Sequence, residues 1–147
     1  MITVHWILSL LSYVAFLVAF VSGALFLIQD AQLKHKHMGV LFHRLPSLQA
    51  LDGLNFRAIT TGFALLTVGM LAGMGASRRV LGVWWSWDPK ESITLVLWLS
   101  YLALWLVRAR ATLRGRKVAV FSILGFTFAV VTWLGVSRWL PTWHPYV

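Results

Sequence analysis

Four apolar segments dominate the sequence, over residues 5–28, 55–76, 89–107 and 118–136. Each has about 19–24 residues, and a helix of that length crosses the hydrocarbon core of a bilayer, which is about 30 Å thick. Of the 147 residues, 59% are hydrophobic and 12% are charged, whereas a soluble domain has about 25% charged residues. The pattern predicts an all-α integral membrane bundle of four transmembrane helices, forming a single membrane domain over residues 1–147.

Basic residues predict the orientation of this bundle. Nine of the 13 lysines and arginines lie in or beside the connections between the first and second segments and between the third and fourth. Cytoplasmic loops of membrane proteins carry an excess of such residues. We therefore expect both termini and a loop over residues 77–91 on the outer face, which for a bacterial inner (plasma) membrane is the periplasmic face. The net charge of +9 then belongs to loops, which argues against nucleic acid as a partner.

A stripe of leucines in the first inner connection predicts a short helix lying in the membrane interface. Leu45, Leu48, Leu51 and Leu54 recur every three residues, as on one face of a helix. Amphipathic segments of this kind commonly anchor a chain to the interface. We interpret this one as a membrane anchor and not as a binding site.

Tryptophan is concentrated at the predicted outer end. Six of the nine tryptophans lie in the outer loop or at the outer ends of spans, and the inner end has at most Trp105. An aromatic belt would place comparable numbers at both interfaces, so the asymmetry favours an aromatic platform for a flat, apolar ligand. The six are Trp6, Trp84, Trp85, Trp87, Trp139 and Trp143.

The residues after the loop tryptophans predict the start of the third span. Asp88 suits the N-cap, Pro89 suits the first helical position, and Glu91 at the third position would complete a capping box. Capping accounts for Asp88 and Glu91 but not for the tryptophans before them. We expect the cap to orient the helix and the tryptophans to be what the helix presents.

Two histidines are brought to the outer face by the predicted topology. His5 lies at the start of the first span and His144 follows the fourth. Two neutral imidazoles are a common axial pair for haem iron, whereas a single histidine near an interface is usually only an interfacial residue. The pair and the aromatic loop together favour a metal role. The inner His35, His37 and His43 lie among basic residues that would repel a cation, and we interpret them as loop residues.

Three outer arginines are candidates to pair with the propionates of a haem. Arg78, Arg79 and Arg138 lie outside despite the inward bias of basic residues, as does Lys90, and a guanidinium pairs well with a carboxylate. The alternative is that these side chains only extend from helix ends to the interface. No spacing in the sequence separates the two interpretations.

The run from Gly82 to Glu91 closely resembles the WWD motif of the cytochrome c assembly proteins of the CcsA, CcmC and HemX type. The resemblance extends over nearly the whole chain and implies that the loop, with Trp84, Trp85, Trp87 and Asp88, binds haem. It also implies that His5 and His144 ligate the haem iron, and that haem is presented to an apocytochrome c on the outer side. The other matching runs are 5–13, 45–52, 62–69 and 143–146.

Two positions depart from the family's pattern. The first tryptophan of the motif corresponds to Leu81 in this sequence. A histidine that many members carry inside the third span corresponds to Leu106, which puts a second, intramembrane haem site in question. Larger members also have additional spans before the segment that begins at His5.

The leading hypothesis is an assembly factor that binds haem, as non-covalent haem b, and presents or transfers it. No nucleophile or general base is evident, which argues against a stand-alone enzyme. The chain has no cysteine, so it performs no thiol chemistry itself, and a membrane partner is expected. Three alternatives stay open: a haem-bearing electron-transfer or accessory subunit of a respiratory membrane complex, a structural membrane scaffold, and a regulatory role in haem synthesis.

Overall fold

The computed structural model describes residues 2–36, 39–110 and 114–139, and within these ranges it contains helices and no strands. The helices are α1 (Ile2–Lys34), α2 (Val40–Arg44), α3 (Leu48–Leu81), α4 (Pro89–Ala109) and α5 (Arg116–Trp139). All except α2 are long and apolar enough to cross a membrane. The prediction of an all-α chain with four helices able to span a bilayer is thus confirmed, while the side of the membrane that each end faces stays a prediction.

Helices α1 and α3 extend beyond the apolar segments inside them. They have 33 and 34 residues, which corresponds to about 50 Å at 1.5 Å per residue. Helix α3 begins at Leu48 because Oγ of Ser47 accepts a hydrogen bond from the backbone N–H of Ala50 at 3.2 Å. The prediction of a separate interfacial helix is therefore wrong. Leu51 belongs to the first turns of α3 and is buried against Phe26 of α1, so burial in the bundle outweighs anchoring at the interface.

A missing side chain lets α1 and α3 approach closely. Phe16 of α1 is fully buried, and a Cβ built on Gly62 of α3 would lie 2.5 Å from its Cε1 atom. Phe16 also stacks on Tyr101 of α4, with 3.8 Å between the ring centroids. Small residues commonly bring membrane helices together in this way. Phe16 therefore links three helices at a site that only glycine at position 62 leaves open.

Replacing Gly62 by alanine tests this contact. The new methyl group would overlap the ring of Phe16, so we expect Gly62→Ala to lower the free energy of unfolding by about 1–3 kcal/mol. Gly53 lies on the same helix and has nothing within 4 Å of an added Cβ. Gly53→Ala should be neutral or gain up to about 1 kcal/mol of helix propensity. Denaturant titration in detergent, followed by tryptophan fluorescence, measures both, and a Gly62→Ala protein as stable as wild type would contradict the packing.

Two tryptophan–threonine hydrogen bonds fix α4 against α3. Nε1 of Trp98 donates to Oγ1 of Thr67 at 2.9 Å, and Nε1 of Trp105 donates to Oγ1 of Thr60 at 3.2 Å. Phe63 lies between the two indoles, with ring centroids 5.5 and 6.3 Å away. The two threonines are seven residues apart on α3, and the two tryptophans are seven residues apart on α4 in the opposite order. A step of one residue towards the C-terminus of α3 therefore corresponds to a step of one residue towards the N-terminus of α4. The two helices are thereby locked in one antiparallel register.

A buried amide joins α3 to the two helices on its other side. Nδ2 of Asn55 donates to the carbonyl oxygen of Ala19 on α1 at 2.7 Å and to Oγ of Ser122 on α5 at 2.9 Å. Both Asn55 and Ser122 are buried. Polar groups within a bilayer need partners inside the protein, and interhelical hydrogen bonds of this kind contribute about 1 kcal/mol each. Asn55 thus connects α1, α3 and α5.

Ion pairs join the helices at the end of the bundle where α1 and α4 finish. Nη2 of Arg108 donates to Oδ2 of Asp52, and the backbone N–H of Gly115 donates to Oδ1 of Asp52 at 3.3 Å. Asp30 pairs with Lys34 at 2.9 Å and with Arg116 at 3.6 Å. We call this the basic end. The end that carries residues 82–88, between α3 and α4, is called the loop end.

Candidate functional site

The tryptophan-rich loop is short and has a defined backbone. Helix α3 ends at Gly82, whose φ of 75° is left-handed and suits glycine as a helix C-cap. Trp87 also has a positive φ, of 57°, which a bulky side chain adopts only at a cost of about 1–3 kcal/mol. The next two residues start α4: Oδ1 of Asp88 accepts from the backbone N–H of Lys90 at 2.8 Å, and Pro89 occupies the first turn. The predicted cap by Asp88 is present in the structure.

Glu91 stabilises the loop through the backbone N–H of Ser86. A capping box would pair its carboxylate with the backbone N–H of the N-cap residue. In the structure, Oε2 of Glu91 accepts from the backbone N–H of Ser86 at 2.8 Å. The left-handed turn at Trp87 brings the N–H two residues before the cap to this carboxylate, and the pairing of Glu91 with the N–H of Asp88 stays a prediction. Asp88 and Glu91 together fix both halves of the loop to the first turn of α4.

Two of the three loop indoles face outwards. Trp84 and Trp87 are 58% and 75% exposed, whereas Trp85 is half-buried and meets the edge of Trp87 with 6.2 Å between ring centroids and an interplanar angle of 80°. The indole N–H of Trp85 is buried and has no hydrogen-bond acceptor among the described residues. The loop thus presents two exposed indoles, of which Trp87 packs against the half-buried Trp85.

The two loop-end arginines at the end of α3 have different surroundings. Arg78 donates from Nη1 to the carbonyl oxygen of Gly82, and its guanidinium carbon lies 5.9 Å from the ring centroid of Trp84. It therefore closes the C-terminus of α3 and contacts one loop indole. Arg79 is exposed and has no hydrogen bond or ion pair within the part of the chain that the structure describes. Of the two, Arg79 is the cation left for an external carboxylate.

His5 lies in a niche formed by two glycines of α3. Its Nδ1 atom is 2.7 Å from the carbonyl oxygen of Gly69. A carbonyl only accepts, so this contact assigns a proton to Nδ1, and in the neutral imidazole the lone pair is then on Nε2. A Cβ on Gly73 would lie 3.0 Å from both Cε1 and Nδ1 of the ring, so a side chain at position 73 would crowd the imidazole in its present position against α3. Iron-ligating histidines characteristically donate their other ring N–H in this manner.

The depth of His5 relative to the loop follows from the register of α3 and α4. The tryptophan–threonine pairs make Gly73 level with Ser92 of α4. Asp88 precedes Ser92 by four residues and so lies about 6 Å beyond that level along the bundle axis. His5 and the loop tryptophans thus lie close to each other along the bundle axis, at the loop end. Within the described residues, no hydrogen bond or ring contact joins His5 directly to the loop.

Some predicted site residues fall outside the described structure. Arg138 belongs to the last turn of α5, but its side chain is not described, and His144 lies beyond residue 139. Their roles stay predictions. In the described ranges no three histidines, aspartates or glutamates approach closely enough to bind a metal ion.

The glycine niche of His5 was not predicted from the sequence. The signal was present, because Gly69 and Gly73 are four residues apart in an apolar segment, and this spacing is typical of a close contact between membrane helices. What the spacing does not indicate is which residue of another helix approaches. The contact with His5 requires the relative shift of α1 and α3, which only the structure gives.

Comparisons with known proteins identify one family. The family model for cytochrome c assembly proteins matches residues 1–144. The chain is 43% identical over 89 residues to a cytochrome c biogenesis protein CcsA of Prochlorococcus marinus (strain NATL1A) and to one of Synechococcus sp. (strain WH7803), and 39% identical over 93 residues to one of Prochlorococcus marinus (strain MIT 9303).

These alignments are partial on both sides. They cover 60%, 60% and 63% of this chain but only 28%, 28% and 29% of the respective relatives, so the chain spans less than a third of the curated relatives that it matches. No solved structure matches it significantly. The family match covers nearly the full sequence, however, and four helices are long and apolar enough to cross a membrane: the chain belongs to the cytochrome c assembly protein family.

Proposed function

We propose that this protein binds haem at the loop end of the bundle and presents it for cytochrome c assembly. The proposal is supported most directly by the hydrogen bond from Nδ1 of His5 to the carbonyl oxygen of Gly69, because in the neutral imidazole this bond leaves the lone pair on Nε2 for iron. A half-buried histidine whose ring is oriented by a backbone carbonyl fits an axial ligand well. Membership of the family supports the role in cytochrome c assembly.

The loop tryptophans would supply the surface for the porphyrin. Trp84 and Trp87 are the most exposed indoles of the loop, and flat aromatic faces stack favourably on one another. The strained backbone at Trp87 supports a ligand-binding role as well, because such conformations persist where a side chain must be presented. Asp88 and Glu91 position the loop through their hydrogen bonds to its backbone.

Two kinds of group would complete the site. Arg79, together with the predicted Arg138, would pair with the propionates of haem, and the buried N–H of Trp85 is a further donor that has no acceptor among the described residues. His144 is proposed as the second axial ligand. Arg78 would act mainly through the loop, since it already contacts Gly82 and Trp84.

Haem is cargo in this proposal. It brings the iron and the vinyl groups that react with thiols, and those thiols must come from an apocytochrome c, since this chain has no cysteine. The loop end would face the outer side of a bacterial inner membrane, where the client and a membrane partner would meet it. The chain's own residues bind and orient haem b there without a covalent bond.

Haem titration of the purified protein tests the proposal. We expect protein in mild detergent to bind haem and to show the oxidised and reduced absorption spectra of a low-spin, bis-histidine iron. A protein that stays colourless after haem is supplied would end the haem-binding proposal and leave the tryptophans as a membrane anchor.

A second assay separates presentation from permanent retention. Apomyoglobin in excess takes up any haem that dissociates, and its absorption spectrum reports the rate. We expect release within minutes if the protein presents haem to a client. Retention over many hours, with a stable redox potential, would instead favour a haem-bearing subunit of a respiratory complex.

A further inference from the structure

A lateral groove separates α4 from α5 in the half of the bundle nearer the basic end. It has a volume of about 400 Å³ and is lined almost wholly by apolar side chains. Phe121, Leu124 and Phe128 line it and are 49%, 57% and 38% exposed, so the groove opens on the outer surface of the bundle. Such a groove within a bilayer is filled by hydrocarbon, from either a lipid or another helix.

The α4 side of the groove is one face of the helix, and that face ends in a cation. Ser100, Ala103 and Val107 line the groove, at positions i, i+3 and i+7 of a single stripe. The next position of the stripe, i+10, is Arg110 at the C-cap of α4. Oγ of Ser100 already donates to the carbonyl oxygen of Val96, so the stripe offers apolar contact along the groove and a positive charge at its mouth.

The α5 side repeats this arrangement. Phe121, Leu124 and Phe128 line the groove, and Lys117 lies four residues before Phe121 on the same helical face. Since α4 and α5 are antiparallel and joined at the basic end, Lys117 and Arg110 lie at the same mouth of the groove. Both walls of an apolar groove thus continue into an exposed cation.

No carboxylate in the described ranges pairs with either of these two cations. Arg108 pairs with Asp52, and Arg116 pairs with Asp30, but neither Arg110 nor Lys117 forms an ion pair with any described residue. Both side chains are exposed. The charge at the groove's mouth is therefore available to an anion from outside the chain.

We propose that the groove binds one anionic phospholipid. An acyl chain would lie along the stripe from Val107 to Ser100, and the phosphate would contact Arg110 and Lys117. Basic pockets at the ends of membrane helices bind anionic headgroups in this way, and each cation near the surface contributes about 1 kcal/mol. A phospholipid supplies the apolar and the anionic parts in one molecule, whereas a partner helix would need a carboxylate at one particular depth.

Native mass spectrometry of the protein released from nanodiscs tests this. The nanodiscs contain phosphatidylglycerol and phosphatidylcholine in equal amounts, and the readout is the ratio of the two lipids that stay bound to the folded protein. We expect one retained phosphatidylglycerol per chain. The double variant Arg110→Gln/Lys117→Gln should lower the preference about 25-fold, since 1 kcal/mol for each cation is about fivefold.

A groove variant and two controls complete the design. Ala103→Leu fills the groove at an exposed position and should release the lipid without any change in charge. Lys36→Gln removes an exposed cation at the same end that does not follow either stripe, and Ala64→Leu enlarges an exposed residue of α3 outside the groove. Both controls should retain phosphatidylglycerol as the wild type does.

Three outcomes would overturn the proposal. One is equal retention of phosphatidylglycerol by the double variant and the wild type. Another is displacement of the lipid by millimolar inorganic phosphate, since this would mean that the headgroup alone is bound. The third is a folded Ala103→Leu protein, judged by its elution volume, that keeps its lipid. None of these results depends on whether the chain binds haem.

Discussion

Purified His5→Ala protein will bind haem at least about 100-fold more weakly than the wild type. Loss of a residue that only orients a metal ligand costs about 10- to 100-fold in affinity, and loss of the ligand itself should cost no less. The low-spin spectrum should also be lost, because iron would keep at most one protein ligand. Titration followed by absorption spectroscopy measures both effects in the same experiment.

His43→Ala is the matched control for this variant. His43 is exposed on α2, and its ring meets that of Phe42 with 5.6 Å between centroids, so its removal should leave haem affinity unchanged. Millimolar imidazole should restore the low-spin spectrum of His5→Ala, which would show that the loss concerns a ligand and not the fold. An unchanged affinity and spectrum in His5→Ala would mean that His5 does not ligate iron.

Enlarging Gly73 will weaken haem binding while leaving His5 in the sequence. An added Cβ lies 3.0 Å from Nδ1 and Cε1 of His5, so Gly73→Ala must displace the ring by a few tenths of an ångström, and Gly73→Val must displace it further. We expect a loss of about tenfold for alanine and up to about 100-fold for valine. The graded series distinguishes a positional effect from loss of the ligand.

The control for this series is Gly53→Val on the same helix. An added Cβ there meets nothing within 4 Å, whereas the cost of a β-branched residue in a helix is common to both positions. Gly53→Val therefore measures the cost of the β-branched residue alone, and Gly73→Val should have a lower free energy of unfolding, measured without haem, because its side chain must also displace the ring of His5. A Gly73→Val protein that binds haem as tightly as the wild type would show that the glycine niche does not position His5.

The spans and the start of α4 were predictable because each depends on a short stretch of sequence. An apolar run of about 20 residues has few alternatives to a membrane helix, and Asp88 followed by Pro89 marks a helix start by local chemistry alone. The interfacial helix was wrong for an equally physical reason. The leucine stripe predicts an apolar face correctly, but periodicity cannot tell whether lipid or α1 covers Leu51.

The contacts that shape the site depend on the relative shift of whole helices. Gly62 and Gly73 both lie on α3, and no property of the sequence shows that one meets Phe16 and the other His5. The same holds for Glu91, whose partner depends on the left-handed backbone at Trp87. Residue types therefore predicted which groups take part, whereas the contacts among them follow from tertiary packing.

The two tryptophan–threonine bonds are seven residues apart on both helices. The distance of the loop from His5 along the bundle axis can therefore change only in steps of seven residues if such a bond is to be kept. A slip of α4 by one residue would separate both indoles from both hydroxyl groups. Only a slip of seven residues, about 10 Å, would re-form one of the bonds, between Trp98 and Thr60 or between Trp105 and Thr67. The hydrogen bonds between α3 and α4 therefore fix the position of the loop along the bundle axis. Substitutions in the loop can then change the ligand that it binds without changing its position along the bundle axis.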